Sequence, residues 1–213
     1  MTDETREKIE RARRKSRRRR KKLREELREA IEAEGERLDQ RLEQIRKNAE
    51  AQADGPTQLF DSVVLDLVPR DAKAVGAYRN GSWPTFDEAM RRFPHARILG
   101  IAVSSAVGAE CLDVEPGDAT NDDVVGWIKR FKVEDPVIYT AVSNVAALLA
   151  TLKAGGIDRD EIRLWSAHYT HRPHLCGPAC GFGVKTTADA TQFTDKALGR
   201  DLDESLCSPA FLA

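Results

Sequence analysis

The stretch PVIYTAVSNVAALLATLKAGG, residues 136–156, joins two patterns that decide the class of fold. Its first seven residues form a short apolar run with β-branched and aromatic side chains, which is typical of a buried strand. The remainder has helical spacing, begins at Ser143, a good N-cap, and ends at Gly155 and Gly156, a good C-terminal stop. A strand followed directly by such a helix predicts a βα unit of a parallel sheet.

Similar apolar runs recur on both sides of this unit and predict six further strands, at 60–68, 74–81, 96–105, 109–115, 163–170 and 188–194. Two more segments have helical patterns, at 85–93 and 121–131. Seven strands, or eight, alternating with helices predict an α/β fold, namely a small, irregular or incomplete (β/α) TIM-like barrel with some helices shortened or missing. An open doubly wound sheet is the alternative. No glycine-rich phosphate loop follows any of these strands, which excludes the usual nucleotide-binding site.

The N-terminal quarter of the chain has a different composition. Residues 1–50 hold 18 Lys or Arg and 13 Asp or Glu, and residues 3–50 lack proline, so a long charged helical arm is predicted over 1–53. Leu38, Leu42 and Ile45 have the spacing of a short coiled-coil seam, which favours homo-oligomer or virion assembly through residues 1–50. A Gly-Pro linker at 54–57 then leads to the barrel domain, 58–213.

A block of positive charge lies inside this arm, where ten of the residues from Arg11 to Lys22 are Lys or Arg and none is acidic. Such a block repels itself and favours an anionic partner, either nucleic acid or a polyanionic polymer of the cell envelope. A solvated helix face or a frayed tail is the alternative. No aromatic residues are interleaved with the basic ones, which disfavours base stacking.

The sequence has no pattern typical of a signal peptide or of a membrane-spanning segment. Its apolar runs are all shorter than a membrane span, so no span is expected. The basic stretch near the N-terminus is not followed by an apolar segment, so no signal peptide is predicted and synthesis in the cytoplasm is expected.

Two carboxylates mark the end of the predicted strand AECLDVE, residues 109–115. Asp113 and Glu115 are two residues apart and therefore point to the same face, with Cys111 deeper on that face. In a barrel of this class the chemistry gathers at the carboxyl ends of the strands. Two neighbouring carboxyls cannot ionise independently, so one is favoured as an acid and the other as an anion, which suits hydrolysis of a glycosidic bond. A salt-bridged or metal-binding pair is the alternative.

The order of short motifs resembles family 25 of the glycoside hydrolases, the Chalaropsis-type lysozymes or muramidases. The motifs are VGAY (75–78), CLDVE (111–115), PVIYT (136–140), LWSAHYT (164–170), TQFTD (191–195) and DLDES (201–205). They cover roughly residues 58–213 and are similar to the blocks at successive strand ends of that family's irregular barrel. The segments GSWPTFDEA and HLCGPACG further resemble a compact branch of such domains in actinobacteria and their phages.

The resemblance implies roles for individual residues. Glu115 matches the general acid, and Asp113 matches a second carboxylate that stabilises positive charge on the sugar or orients an acetamido group. Asp203 matches the family's C-terminal Asp. In the first strand FDSVVLDLV replaces the family's G-I-D-V-S block, so the remaining carboxylate would be Asp61 or Asp66, and Asp61 is preferred. The residues implied to line the sugar cleft are Tyr139, Trp165, Tyr169 and Gln192.

A cluster of histidines and cysteines follows the sixth predicted strand. The segment gathers His168, His171, His174, Cys176 and Cys180, and three or four of these could bind zinc, with His171, His174, Cys176 and Cys180 as the candidate set. A Cys176–Cys180 disulfide and free thiols are the alternatives. No cofactor is otherwise expected. Cys111 is interpreted as a small buried apolar residue, and Cys207 is predicted in a terminal helix, unpaired with Cys111.

Two hypotheses of function follow. In the first, the chain is a peptidoglycan-directed, muramidase-like glycosidase that cleaves glycan strands of the bacterial cell wall, as part of a phage lysin or a virion. In the second, the barrel is a non-catalytic structural or carbohydrate-binding module that the helical arm displays on a virion. The family's activity implies action at the cell wall, reached without a signal peptide.

Overall fold

The structure, a computed structural model, describes Gly35 and residues 56–212. The chain divides into two units, Met1–Glu50 and Ala51–Ala213, and the fold described below belongs to the second. The predictions for the coiled-coil seam and for the Arg11–Lys22 block fall outside the described residues.

Eight strands close into one barrel in which every strand pairs with its neighbours in chain order. The strands are β1 (Thr57–Asp61), β2 (Ala74–Tyr78), β3 (Arg97–Ala102), β4 (Cys111–Val114), β5 (Val137–Ala141), β6 (Arg163–Ala167), β7 (Ala190–Thr194) and β8 (Asp203–Cys207). Strands β1 to β7 are mutually parallel, whereas β8 is antiparallel to both β7 and β1. This closed, mixed barrel rules out the open doubly wound sheet.

The eighth strand corrects the prediction that Cys207 lies in a terminal helix. Asp203, Ser205 and Cys207 alternate along β8, and Ser205 and Cys207 are fully buried. Because these alternating positions carry small or polar side chains, the strand lacks the apolar run that marks the other strands. Its reversed direction brings its first residue, Asp203, to the barrel end where β1 finishes with Asp61.

The first strand is also shorter than predicted and begins earlier in the chain. β1 begins at Thr57, which the sequence pattern assigned to the linker, and ends at Asp61. The apolar residues that follow form a 3-10 turn, Leu65–Leu67. Leu65 and Val68 are buried in an apolar cluster with residues of β2 and β3, so their hydrophobicity serves packing rather than strand pairing.

Three helices accompany the barrel among residues 56–212: α1 (Phe86–Arg92), α2 (Asn121–Phe131) and α3 (Val145–Ala154). Helix α2 starts at a capping box in which the Asp123 carboxylate accepts hydrogen bonds from the Thr120 backbone N–H and hydroxyl. Ser143 is not the N-cap of α3, since it lies within a 3-10 turn, Val142–Asn144, that precedes the helix. No described helix has both the length and the apolarity needed to cross a membrane.

The helices cover only part of the barrel. Helices α2 and α3 bury Trp127, Leu148 and Leu152 against the outer face of β4 to β6. Helix α1 follows β2, while β3 runs to β4 and β6 runs to β7 without an α-helix. The inward positions pack into a separate apolar core that closes the barrel below its mouth, and this core contains Leu59, Leu99, Ile101, Cys111, Val137, Trp165, Cys207 and Phe211.

Candidate active site

A pocket of about 120 Å³ opens at the end of the barrel where β1 to β7 finish and β8 begins. Four carboxyl side chains reach it from separate positions in the chain, namely Asp61, Asp113, Glu115 and Asp203. The other lining residues are Tyr78, Ile101, Tyr139, Trp165, Tyr169 and Gln192.

Asp61 and Asp203 meet because the barrel closes between β1 and β8. They are direct partners in the antiparallel ladder, as the last residue of β1 and the first of β8. Gly76 of β2 leaves room for Asp61, since a Cβ atom at position 76 would lie only 2.9 Å from the Asp61 Cβ. The absence of a side chain at Gly76 therefore allows the aspartate to enter the mouth.

The two carboxyls of this pair influence each other's ionisation, and Asp61 has the stronger preference for a proton. Burial raises the pKa of Asp61 well above its usual range, and the neighbouring Asp203 carboxylate raises it further. Burial raises the pKa of Asp203 to about 6, against a hydrogen bond from Asp61 that lowers it. The Tyr78 hydroxyl donates to Asp61 Oδ1 at 3.3 Å, while Asp61 Oδ2 is buried and has no hydrogen-bond partner among the described residues. We therefore place the proton on Asp61, beside an ionised Asp203.

Asp113 lies deeper than Glu115 and holds its proton more strongly. Burial, reinforced by the charges of Glu115 and Asp118, raises the pKa of Asp113 from 3.8 to about 8. Its Oδ1 atom is buried without a hydrogen-bond partner, so it is an acceptor that a bound ligand can satisfy. This preference for the protonated form differs from the anion that the family resemblance implies for Asp113.

Glu115 occupies the rim, one residue beyond the end of β4. It is half-buried, and burial raises its pKa above the usual value, with further contributions from Asp118 and Asp203. A carboxyl with a raised pKa at the entrance keeps its proton to a higher pH than a free glutamate does, and it can still reach an incoming group. Glu115 therefore lies where it can donate a proton to a ligand in the pocket.

A chain of hydrogen bonds orders the opposite wall of the pocket. The buried Tyr139 hydroxyl donates to Gln192 Oε1 at 2.7 Å, and Gln192 Nε2 donates to the Tyr169 hydroxyl at 3.3 Å. Trp165 packs edge-on against Tyr139, with 4.7 Å between the ring centroids, and donates from Nε1 to Ser205 Oγ at 2.9 Å. Tyr169 is half exposed at the rim, so the wall presents aromatic surface from the floor to the entrance.

The pocket brings together all eight carboxyl and cleft residues that the resemblance implies, with Asp61 as the first-strand carboxylate. Asp66, the other candidate, is exposed and forms an ion pair with Arg92. Sequence reasoning gave no role to Tyr78 or Ile101. Tyr78 could have been found, because it ends the second strand and a strand's last residue lies at the mouth.

A cluster of histidines and cysteines lies outside the pocket, and it differs by one residue from the set predicted from the sequence. His168 joins His174, Cys176 and Cys180, and all four cysteines of the chain are free thiols. His171 does not belong to the cluster, because its Nδ1 atom lies 3.0 Å from the Thr194 hydroxyl instead. The structure therefore places His168, and not His171, with the other three candidate zinc ligands.

No family model matches the chain, and no curated protein matches it. Among solved structures, the 1.07 Å crystal structure of an uncharacterized B. stearothermophilus protein is similar, with a TM-score of 0.53 and 17% sequence identity. The likeness covers 71% of this chain and 95% of that one, and it concerns the fold alone.

Proposed function

We propose that the chain is an irregular (β/α) TIM-like barrel that hydrolyses the glycan strands of bacterial peptidoglycan, in the manner of a muramidase. The observation that carries the proposal is the convergence of Asp61, Asp113, Glu115 and Asp203 in one aromatic-walled pocket at the mouth of the barrel. Glycoside hydrolysis uses a carboxyl that donates a proton together with carboxylates that stabilise a positively charged sugar. Sugar rings also have apolar faces that pack against aromatic side chains.

Glu115 is the proposed general acid. Its proton moves to the glycosidic oxygen as the bond between that oxygen and the sugar carbon breaks, and the leaving sugar departs as an alcohol. A water oxygen then adds to the sugar carbon, and the proton released by that water returns to Glu115. The raised pKa of Glu115, caused by burial and by Asp118 and Asp203, supports this role because it keeps the carboxyl protonated closer to neutral pH.

The remaining carboxyls act on the sugar that becomes positively charged. A cation nearby favours the ionised form of a carboxyl, so developing charge on the sugar lowers the pKa of Asp113 and of Asp203. The unpartnered Asp113 Oδ1 suits the N–H of an acetamido group, which the sugars of peptidoglycan carry. These features support an N-acetylated amino sugar as the substrate class.

The biological setting of the proposal rests on the family resemblance. The chain would act at the cell wall as a phage lysin or a virion component, and residues 1–53 would tether or assemble it. In the alternative hypothesis, the same pocket binds glycan without cleaving it.

The test compares the wild-type full chain with Glu115→Gln on purified peptidoglycan, measuring solubilised glycan and new reducing ends. Glutamine keeps the shape of the side chain but has no transferable proton, so we expect hydrolysis to fall by about 10²–10⁴-fold. Glu134→Gln is the matched control, because Glu134 is exposed and far from the pocket lining. Equal hydrolysis by wild type and Glu115→Gln, or none by either, would contradict the glycosidase and favour the binding module.

A further inference from the structure

A second cluster of chemistry-bearing side chains lies in the long connection between β6 and β7. His168, His174, Cys176 and Cys180 each offer one ligand atom, and these atoms lie within 4.8 Å of one another. His168 Nδ1 is 3.2 Å from His174 Nε2, and Cys176 Sγ is 3.3 Å from both nitrogens. A tetrahedral zinc ion with bonds of about 2.0–2.3 Å separates its ligand atoms by about 3.3–3.8 Å. His168 Nδ1, His174 Nε2 and Cys176 Sγ are thus already separated by nearly the distances that a tetrahedral zinc ion requires.

The His174 ring is oriented as a metal ligand would be. Its Nδ1 atom lies 2.9 Å from the carbonyl oxygen of Arg172 and 3.2 Å from the Thr170 hydroxyl. A carbonyl oxygen only accepts, so Nδ1 carries the hydrogen and the lone pair is on Nε2, the atom that faces the cluster. Zinc-binding histidines are typically held by this kind of bond from the other ring nitrogen.

We propose that these four side chains form a Cys2His2 site for a structural zinc ion. Two thiolates and two imidazoles are the donors that favour zinc over magnesium or calcium. Four protein ligands complete a tetrahedral shell and leave no open position, which distinguishes a structural site from a catalytic one. Cys176 is fully buried while the other three ligands are partly exposed, so the ion sits at the surface of the barrel with a path for its entry.

The position of the ligands explains what the metal does. Residues 168–189 connect β6 to β7 with a single 3-10 turn, Pro178–Cys180, as their regular structure, and connections this long rarely order themselves. His168 is the first residue of the connection and Cys180 lies near its middle. One bound ion therefore holds the first half of the connection against the barrel. The neighbour of His168 is Tyr169, which lines the mouth of the pocket, and the His168 N–H donates to the Gln192 carbonyl at 2.9 Å. The zinc thereby fixes the rim of the pocket without contacting a ligand there.

The test measures the metal content of the full chain, purified with a thiol reductant and without chelators. We expect about one zinc ion per chain by elemental analysis, and a drop in melting temperature when a strong chelator removes it. Cobalt in place of zinc should give the visible bands of tetrahedral Co²⁺ and a thiolate-to-cobalt charge-transfer band. Cys180→Ser and His174→Ala should lose both the zinc and these spectra.

His171→Ala is the matched control, since His171 lies in the same loop but outside the cluster, and it should keep the zinc. The proposal is overturned if reduced, folded wild type takes up neither zinc nor cobalt, or if His171→Ala loses metal as His174→Ala does. Isolation of the wild type with a Cys176–Cys180 disulfide, seen by mass spectrometry as the loss of two hydrogens, would also overturn it. None of these measurements uses hydrolysis, so the result is independent of the proposed glycosidase.

Discussion

Asp61 and Asp203 are partners across the antiparallel β1–β8 pair, the one place where the barrel joins its first strand to its last. Burial raises the pKa of both carboxyls, and the neighbouring Asp203 carboxylate raises that of Asp61 further, which favours a protonated Asp61 beside an ionised Asp203. The pair therefore adds one negative charge to the pocket near neutral pH, rather than two. A single anion beside the sugar can stabilise positive charge at a lower cost of burial than two adjacent anions.

The first prediction separates the two members of this pair. Asp61→Asn keeps a donor for Asp203, because an amide N–H can replace the carboxyl O–H, whereas Asp203→Asn removes the anion. We expect Asp203→Asn to lower kcat/KM by at least about tenfold more than Asp61→Asn, which corresponds to about 1.4 kcal/mol of transition-state stabilisation. Initial rates on soluble glycan fragments measure this difference, and a larger loss in Asp61→Asn would contradict the assignment of the proton.

The second prediction concerns the pH dependence of folding and Asp113. The folded state raises the pKa of Asp113 from 3.8 to about 8 through burial, so the folded chain binds more protons than the unfolded chain between these pH values. The free energy of unfolding therefore falls as pH rises from about 4 to about 8 because of this group. Asp113→Asn has no proton to lose, so it should be less active yet more stable than wild type at pH 8, by more than about 1 kcal/mol.

Urea denaturation of both proteins at pH 4 and pH 8 measures the effect of Asp113→Asn. The difference between them should be smallest at pH 4, where Asp113 is protonated in the folded state and only about half ionised in the unfolded state, and should grow toward pH 8. A constant difference across this range would show that Asp113 is not the titrating group.

The position of Asp113 and Glu115 together at the mouth of the barrel could be predicted from the sequence, because it depends on two simple rules. Side chains two residues apart share a face of a strand, and the ends of parallel strands share one edge. The β8 strand obeys the first rule but not the second, because its direction is reversed, and its polar or small inward side chains do not give the apolar pattern that predicts a strand. Asp203 was identified only through the family resemblance, and its pairing with Asp61 needed the closed barrel.

The ligand set of the metal cluster could not be predicted from spacing alone. His171 has a left-handed backbone conformation, with φ of 54°, and its side chain points to Thr194 rather than to the cysteines. A non-glycine residue in this conformation is stabilised by its surroundings rather than by its own preference. Loop residues therefore reach or miss a site according to backbone turns that no local pattern encodes.

The third prediction contrasts two tyrosines of the pocket wall. Tyr139→Phe removes the hydroxyl that donates to Gln192 Oε1 and leaves a buried acceptor without a partner. We expect it to lower the free energy of unfolding by about 1–3 kcal/mol. Tyr169→Phe should cost less than about 0.5 kcal/mol, because Tyr169 is half exposed and water can replace its hydroxyl for Gln192 Nε2. Chemical denaturation of both variants tests this order, and equal losses would contradict it.

The fourth prediction links the packing of the barrel to the position of Asp61. A Cβ atom at position 76 would lie 2.9 Å from the Asp61 Cβ and 3.1 Å from Ile101 Cδ1. Ile101 can turn its terminal methyl away, but the Asp61 Cβ is fixed to the backbone of β1, so Gly76→Ala must displace that strand or tilt its carboxyl. We expect a loss of about 1–3 kcal/mol in stability and a loss of hydrolysis at temperatures where the variant is still fully folded.

Gly126→Ala is the control for this substitution. Gly126 lies exposed within α2, and a Cβ atom there meets nothing within 4 Å, so alanine should stabilise the chain by about 0.5–1 kcal/mol and leave hydrolysis unchanged. Thermal denaturation followed by rate measurements below both transitions separates stability from activity. If Gly76→Ala hydrolyses glycan as fast as Gly126→Ala under those conditions, the position of Asp61 does not govern the reaction, and the Asp61–Asp203 pair loses its proposed role.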